Sequence, residues 1–222
     1  MRAVGVASAT LGMAVGVFAV SFGVASVGAG ASVAQTCVLS LLVFTGASQF
    51  SAVSVIGAGG SPAAAFGGAM LLAARNGVYA IALAPHLPGS LGRRLVTAQL
   101  VLDETAAMSL AQREPAQRRA AFWITGVTLY VCWNIGTLIG ALAGSAIDPT
   151  TFGLDAAFPA AFVAMLWPLL RDPRSRAAAF LGAAVCLVLT PFVPVGIPIL
   201  CAALAIFIGV PAPPSRQAEA DR

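Results

Sequence analysis

The amino-acid sequence predicts an all-α fold, a polytopic transmembrane helical bundle, and its composition and charge distribution both indicate this. Of the 222 residues, 59% are apolar and 9% are charged, and the mean hydropathy is +0.92. Soluble domains carry far more charge. No charged residue occurs from Ala3 to Ala74, a stretch that as helix would cross a ~30 Å hydrocarbon core roughly three times. The composition excludes a disordered chain, a coiled coil and a water-soluble enzyme with a single core.

Glycine, proline and charge clusters divide the chain into apolar segments. We expect about seven or eight spans, some short or discontinuous, in a single transmembrane domain over residues 1–211. A short polar cytoplasmic tail follows over residues 212–222. The candidate spans cover residues 3–28, 33–57, 62–85, 93–112, 119–146, 153–170, 176–191 and 195–211.

The first three segments are apolar almost throughout. Segment 3–28 is much longer than the apolar core of a signal peptide, and more apolar sequence follows it, which favours an uncleaved first span. Segment 33–57 is interrupted near its middle by a small and polar stretch. Segment 62–85 is bounded by proline at both ends and holds one arginine about midway.

The later segments differ in polarity and length. Segment 93–112 is the most polar, and on a continuous helix its Thr97, Glu104 and Ser109 would share a face. The last two segments are short and separated by a proline-rich stretch, so they could also form one broken hairpin. Glycines spaced by four form two stripes suited to close helix packing, within this chain or with a partner: Gly12 and Gly16, then Gly136, Gly140 and Gly144.

The arginines set the expected orientation. Loops 112–119 and 171–176 each carry three arginines, so both should face the cytoplasm, and two spans separate them. Arginines near both chain ends place the N- and C-termini inside as well. Under this count Arg93 and Arg94 fall on the outer side, against the same rule. The conflict disappears if one of the first three segments is re-entrant or half-length.

Charges at membrane depth are the most informative residues. Asp103 and Glu104 lie almost midway between Arg94 and Arg113, and Arg75 is also near mid-depth. Because an unpaired charge in lipid is costly, we expect Arg75 to face Asp103 or Glu104 across a bundle interior or aqueous cavity. Such groups mark proton or substrate pathways, so one acid could bind a proton while the other holds Arg75. The alternatives are a buried structural ion pair, or a fourth segment at the interface with its acids in water.

A second candidate site is the stretch Phe44–Phe50, F-T-G-A-S-Q-F. Gly46 lets a backbone or a ligand approach closely, and Thr45, Ser48 and Gln49 offer hydrogen bonds at membrane depth. If the helix unwinds there, freed amides and helix-end dipoles could receive the carboxylate and ammonium of an amino acid. The alternative is that these side chains bond only to a neighbouring helix.

The remaining residues give no sign of enzyme chemistry. The four cysteines lie in apolar stretches without paired spacing, and the one histidine, His86, lies at a segment end. We therefore expect no catalytic residues, no metal and no cofactor. The net charge of +4 comes from arginines in short loops, so no nucleic acid is expected as a partner.

Several of these motifs, taken in order, resemble the AzlC family over nearly the whole chain. Phe44–Phe50 is similar to its F-x-G-[SA]-[SA]-Q-F signature, Arg75–Tyr79 to its arginine-containing third helix, and Asp103–Thr105 to its D-E-[ST] element. Trp133–Gly140 and Gly153–Pro159 are similar to its W-x-x-G-T-x-x-G and G-L-D-F-A-x-P elements. Each motif alone is weak, but five in the same order are fairly specific.

The resemblance implies export of branched-chain amino acids, namely leucine, isoleucine and valine, with methionine as a further candidate. It implies a bacterial inner membrane, coupling to the proton motive force, and a small membrane subunit of the AzlD type as partner. Apolar pocket walls discriminate by only about 1 to 3 kcal/mol per methylene, so broad specificity is expected. The candidate substrate-binding residues are Thr45, Gly46, Ser48, Gln49, Arg75 and Asn76.

Two other functions fit a multi-span helical protein. A passive channel would carry solute independently of the proton gradient. A membrane scaffold, whose polar centre only holds a partner subunit, would carry none.

Overall fold

The computed structural model describes residues 1–146, 163, 167 and 169–205, and every regular element in this part is helical, as predicted. The chain divides into two compact units, Met1–Ala161 and Phe162–Arg222. The helices of the first unit are α1 (Arg2–Gly28), α2 (Val33–Leu42), α3 (Ala47–Gly57), α4 (Pro62–Leu83), α5 (Leu91–Gln99), α6 (Asp103–Leu110) and α7 (Pro115–Ala146).

Three helices in the described part of the chain, α1, α4 and α7, are long and apolar enough to cross a membrane. With 27, 22 and 32 residues, they are about 40, 33 and 48 Å long. The other helices of this unit have 8 to 11 residues, about half of what a crossing requires.

Helices α1 and α7 pack backbone to backbone along the two glycine stripes. A Cβ atom at Gly136 would collide with the carbonyl oxygen of Gly16, and one at Gly140 with the carbonyl oxygen of Val20. Without a hydrophobic effect between helices in lipid, such close van der Waals packing is what holds them together. The prediction of close helix packing is confirmed, and both stripes lie within this chain.

The same pair of helices fixes direction, because α1 and α7 run parallel. Near their starts the hydroxyls of Ser8 and Thr125 are 2.9 Å apart, and near their ends Gly144 lies against Val24. Both helices therefore begin at one membrane face and end at the other. We call the first the arginine-rich face, because Arg2 and the arginines preceding and opening α7 lie there, and the second the far face.

Segment 33–57, predicted as one span, is a hairpin of two half-length helices, α2 and α3. At the far face, the hydroxyl of Thr36 on α2 is 2.8 Å from that of Ser26. Gly57, at the end of α3, comes back against Ala29, just past the end of α1. The first hairpin (α2, residues 43–46 and α3) thus enters from the far face and returns to it.

Helix α4 then crosses to the arginine-rich face. It begins beside α3, where Gly68 opposes Ser51, and continues as a short 3₁₀ turn, Ala84–His86. There His86 Nε2 lies 3.0 Å from Nη1 of Arg118 in the first turn of α7.

Segment 93–112, also predicted as one span, is a second hairpin, formed by α5, residues 100–102 and α6. It starts just after His86. At its other end, the hydroxyl of Ser109 donates to the carbonyl of Arg118 at 3.1 Å. Midway, Leu100 and Thr105 lie against Gly126, well inside α7. The second hairpin therefore enters from the arginine-rich face and returns to it.

These contacts bear on the predicted span count. Among residues 1–146, three helices are long and apolar enough to cross a membrane, so a total of seven or eight spans is not confirmed. Segments 33–57 and 93–112, each predicted as one span, are hairpins of two shorter helices. The second hairpin places Arg93 and Arg94 at the arginine-rich face, which removes the conflict with the orientation rule. Of the first three segments, residues 33–57 are the one that consists of half-length helices.

The second unit contains α8 (Pro173–Leu189), which follows a 3₁₀ turn, and the short α9 (Ile197–Ala202). Asp172 caps α8 by accepting from the backbone N–H of Ser175 at 2.7 Å. That hydrogen bond holds the pKa of Asp172 below its ordinary value. Predicted span 176–191 largely coincides with α8. Most of span 153–170, the end of span 195–211, the Gly153–Pro159 motif and the tail 212–222 lie outside the described residues.

Candidate functional site

The tips of the two hairpins meet near mid-depth. The side-chain amide of Gln99, at the end of α5, donates from Nε2 to the backbone carbonyls of Leu41 at 2.9 Å and Leu42 at 3.2 Å. The hydroxyl of Tyr130, near the middle of α7, donates to the same Leu41 carbonyl at 3.0 Å. These carbonyls would otherwise be unsatisfied at the C-terminus of α2. Broken helices are tolerated at membrane depth where such partners exist.

The first tip is closed by Gln49. Its Oε1 accepts from the backbone N–H of Gly46 at 3.1 Å, and its Nε2 donates to the carbonyl of Leu39 at 3.3 Å. Gly46 has φ of +62°, a conformation that side chains beyond glycine rarely adopt. The helix thus unwinds at the stretch where the sequence indicated a break. Both polar atoms of the Gln49 side chain are therefore hydrogen-bonded to the backbone of the first hairpin.

The second tip is organised by Thr105. Its hydroxyl accepts from the backbone N–H of Leu102 at 2.8 Å and lies 2.8 Å from the carbonyl of Leu100. Because the helix is broken at residues 100–102, Thr97 does not share a continuous helix face with Glu104 and Ser109, contrary to the prediction for segment 93–112. Asp103 and Glu104 instead occupy the first turn of α6, where the positive end of the helix dipole stabilises negative charge.

Arg75 on α4 faces the second tip. Its Nη1 lies 3.5 Å from Oδ2 of Asp103, and the two side chains are 40% and 37% exposed in this chain alone. The pair is therefore half-exposed in this chain. Glu104 interacts electrostatically with both Asp103 and Arg75. The geometry brings together the three charges that the sequence placed near mid-depth.

Four buried polar atoms have no hydrogen-bond partner among the described residues. They are Thr45 Oγ1, Ser51 Oγ, Asn76 Oδ1 and Trp133 Nε1. Buried polar groups are normally satisfied, so each calls for an explanation, and a bound ligand is one. The antiparallel α3 and α4 place Asn76 on the tip side of the Gly68 and Ser51 contact. Thr45 belongs to the tip itself.

Trp133 stands beside the first tip at the middle of α7. It is 3% exposed, and its ring lies 3.8 Å from the position that a Cβ atom on Gly46 would occupy. Aromatic rings surround it at centroid distances of 5.8 to 6.4 Å, namely Phe18, Phe22, Phe44 and Phe50. Sequence reasoning did not single out Trp133 or Ser51 as site residues. The signal for Trp133 was its place in the interior of a span, since tryptophan usually lies at span ends.

Of the predicted substrate-binding residues, Thr45, Gly46, Ser48 and Gln49 lie together at the first tip. Arg75 lies against the second tip, and Asn76 is next to it in sequence. Ser48 is buried. The structure therefore distributes the predicted residues over the two tips and the face of α4 between them.

The motifs at these two tips resemble those of one family, and a comparison of the chain with protein families finds the same family. The AzlC protein family matches residues 10–147, more than half of the chain. The chain belongs to the AzlC family. The match covers most of α1, all of α4 and α7, and both hairpins of the first unit.

Individual relatives of this AzlC-family chain are distant. Two Helicobacter pylori proteins, each named an uncharacterized membrane protein, are 26% and 24% identical over 156 and 152 residues. Each alignment covers 68% of this chain, and 68% and 67% of the relative. The branched-chain amino acid transport protein AzlC of Bacillus subtilis is 25% identical over 155 residues, 69% of this chain and 58% of the relative. No solved structure matches. Membrane-protein relatives and three long apolar helices together place the chain in a membrane.

Proposed function

We propose that this chain exports branched-chain amino acids, leucine, isoleucine and valine and also methionine, across the bacterial inner membrane in exchange for protons. Membership of the AzlC family and the name of the Bacillus subtilis relative support a role in membrane transport. The observation that carries the proposal is the meeting, near mid-depth, of two hairpin tips beside an ion pair and unpartnered polar atoms.

The first tip suits the carboxylate of an amino acid. The amides of the first turn of α3 point toward the break, where the helix dipole favours negative charge. The hydroxyl of Thr45 and the indole N–H of Trp133 are further donors without partners among the described residues. Discontinuous helices whose ends face the substrate at mid-depth are a recurrent arrangement in secondary transporters.

The aromatic rings around Trp133 suit the aliphatic side chain. The cluster is apolar, and its one hydrogen-bonding group is the indole N–H. Such walls distinguish leucine from valine by about one methylene, which is worth only about 1 to 3 kcal/mol. We therefore propose broad specificity among branched-chain amino acids and methionine.

The second tip provides the proton site. Arg75 neutralises Asp103, which leaves the Glu104 carboxylate to receive either a proton or the ammonium group of the substrate. Because the two cations compete for one carboxylate, binding a proton releases the substrate. Competition of this kind is what exchange of a proton for an amino acid requires, because binding of one must exclude binding of the other.

A small membrane subunit of the AzlD type is the proposed partner. The Arg75 and Asp103 side chains are 40% and 37% exposed in this chain alone, and charges at this depth do not face lipid. A partner covering this part of α4 would remove the pair from lipid.

The test is uptake of radiolabelled leucine into inverted vesicles that contain this chain with and without the small subunit. With an acidic interior, uptake should exceed that in the absence of a gradient and should be lost in Glu104→Gln. Glu114→Gln, in the loop before α7, is the matched control and should transport normally. Uptake that ignores the gradient would indicate a passive channel. No uptake even with the partner would indicate a scaffold.

A further inference from the structure

Helix α5 is held far more loosely than its hairpin partner α6. Of its nine residues only Thr97 is buried, while Leu91, Leu95 and Val96 are exposed. On α6, by contrast, Thr105 is fully buried against α7. Segments with few buried contacts are those that open at low free-energy cost.

Open grooves lie on both sides of α5. One, of about 400 Å³, separates it from the end of α4 and is lined by Leu83, Leu87 and Arg94, among others. The other, of about 460 Å³, separates it from α7 and includes Trp123, Val127 and Tyr130. Both volumes lie on the path from the arginine-rich face to the hairpin tips. Helix α5 is therefore packed only loosely against α4 and α7.

Gln99 lies at the C-terminal end of this helix, next to the buried residues 100–102. Its two hydrogen bonds to the Leu41 and Leu42 carbonyls are the described hydrogen bonds that join the two hairpins. We propose that α5 is the gate on the arginine-rich side of the transport site and that Gln99 is the positioning residue that latches it. When the latch opens, the Leu42 carbonyl is exposed at the negative end of α2, while Tyr130 still holds Leu41.

This inference rests on the proposed transport function, because a gate requires a solute that passes it. It adds to that function the residue that controls the gate, Gln99, and the membrane face on which the gate lies. Substrate enters from the arginine-rich face only after the hydrogen bonds between Gln99 and the first hairpin break. When these bonds form again, that route is closed. The freed carbonyl then attracts the ammonium group of the entering amino acid.

A labelling experiment tests the latch without relying on transport. A single cysteine at position 45, in the full chain with its four native cysteines replaced by alanine, is labelled with a membrane-impermeant maleimide in vesicles of both orientations. Gln99→Ala should raise the labelling rate from the arginine-rich face roughly thirtyfold, the effect of losing about two ordinary hydrogen bonds, and leave the rate from the far face unchanged. Gln112→Ala, which loses only a bond within its own stretch of chain, is the matched control.

The proposal is overturned if Gln99→Ala labels at the unaltered rate, or if the rate rises equally from both faces, which would indicate general loosening.

A second variant guards against misfolding. Leu42→Cys and Ala98→Cys, which keep Gln99 in place and are joined by a cleavable bismaleimide, should together abolish leucine efflux, and cleavage of the cross-link should restore it. If the uncross-linked protein carries no amino acid, the proposed function fails, and the labelling rates still decide whether α5 moves. Efflux that persists through the cross-link contradicts the gate.

Discussion

At the scale of single residues, the charged groups near mid-depth need partners, because an unpaired charge in lipid is costly. The sequence alone predicted that Arg75 would face one of two acids, because a charge near the bilayer centre needs compensation. It did not predict that Asp103 would be the partner. That choice depends on the break at residues 100–102, which sets where α6 starts, and the break depends on a hydroxyl from Thr105 that hydropathy does not register.

Removing one member of the ion pair should cost more than removing both. Asp103→Asn and Arg75→Gln should each destabilise the protein in detergent, because each leaves the other group without its partner. The double variant should recover part of that loss, with a coupling of about 0.5 to 3 kcal/mol. Denaturant unfolding of the four proteins measures it. Additive losses would show that the 3.5 Å contact contributes nothing.

Trp133 should contribute to substrate binding through its N–H group and not through packing alone. Trp133→Phe keeps an aromatic ring but removes a donor that has no partner among the described residues. Leucine affinity should fall roughly tenfold or more, as expected for a hydrogen bond to a charged group, while thermal stability changes little. Trp123→Phe, remote from the first tip, is the control for binding. Equal leucine affinity in Trp133→Phe would remove the indole from the site.

At the scale of helices, the sequence predicted the close packing along the glycine stripes but did not predict the two hairpins. The glycine stripes were visible because their spacing of four residues is a direct consequence of helical geometry. The hairpins were not, because hydropathy measures the length of an apolar run and not its direction. Segment 33–57 is as apolar and as long as a span, yet its chain reverses at Gly46. Only the small and polar stretch at its centre indicated a break.

The contact between α1 and α7 should not tolerate a side chain. Gly140→Ala would drive a methyl group into the Val20 carbonyl and should lower stability by about 1 to 3 kcal/mol, the usual cost of overpacking. Gly5→Ala, at a position on α1 with open space around it, should be neutral or stabilise by up to about 1 kcal/mol. Thermal unfolding in detergent compares them. Equal midpoints would contradict the close packing of the two helices.

At the scale of the whole first unit, the arrangement of crossings follows from where the arginines lie. Treating every apolar segment of residues 1–146 as a crossing left Arg93 and Arg94 on the wrong side. Two re-entrant hairpins put the charged loops of this unit at one face, as the positive-inside rule requires. The positive-inside rule therefore predicted the arrangement of this unit better than the number of apolar segments did, because the position of arginines indicates directly which loops lie on the same side.

Two hairpins that enter from opposite faces and meet near mid-depth define the arrangement of the first unit, and labelling of loop cysteines tests that arrangement. Single cysteines at Ala31, Ala58, Ser90 and Ala111, in a chain without native cysteines, are treated with an impermeant maleimide in sealed vesicles of known orientation. We predict that positions 31 and 58 react from one face and positions 90 and 111 from the other. If positions 31 and 58 react from opposite faces, segment 33–57 crosses the membrane and the account is contradicted.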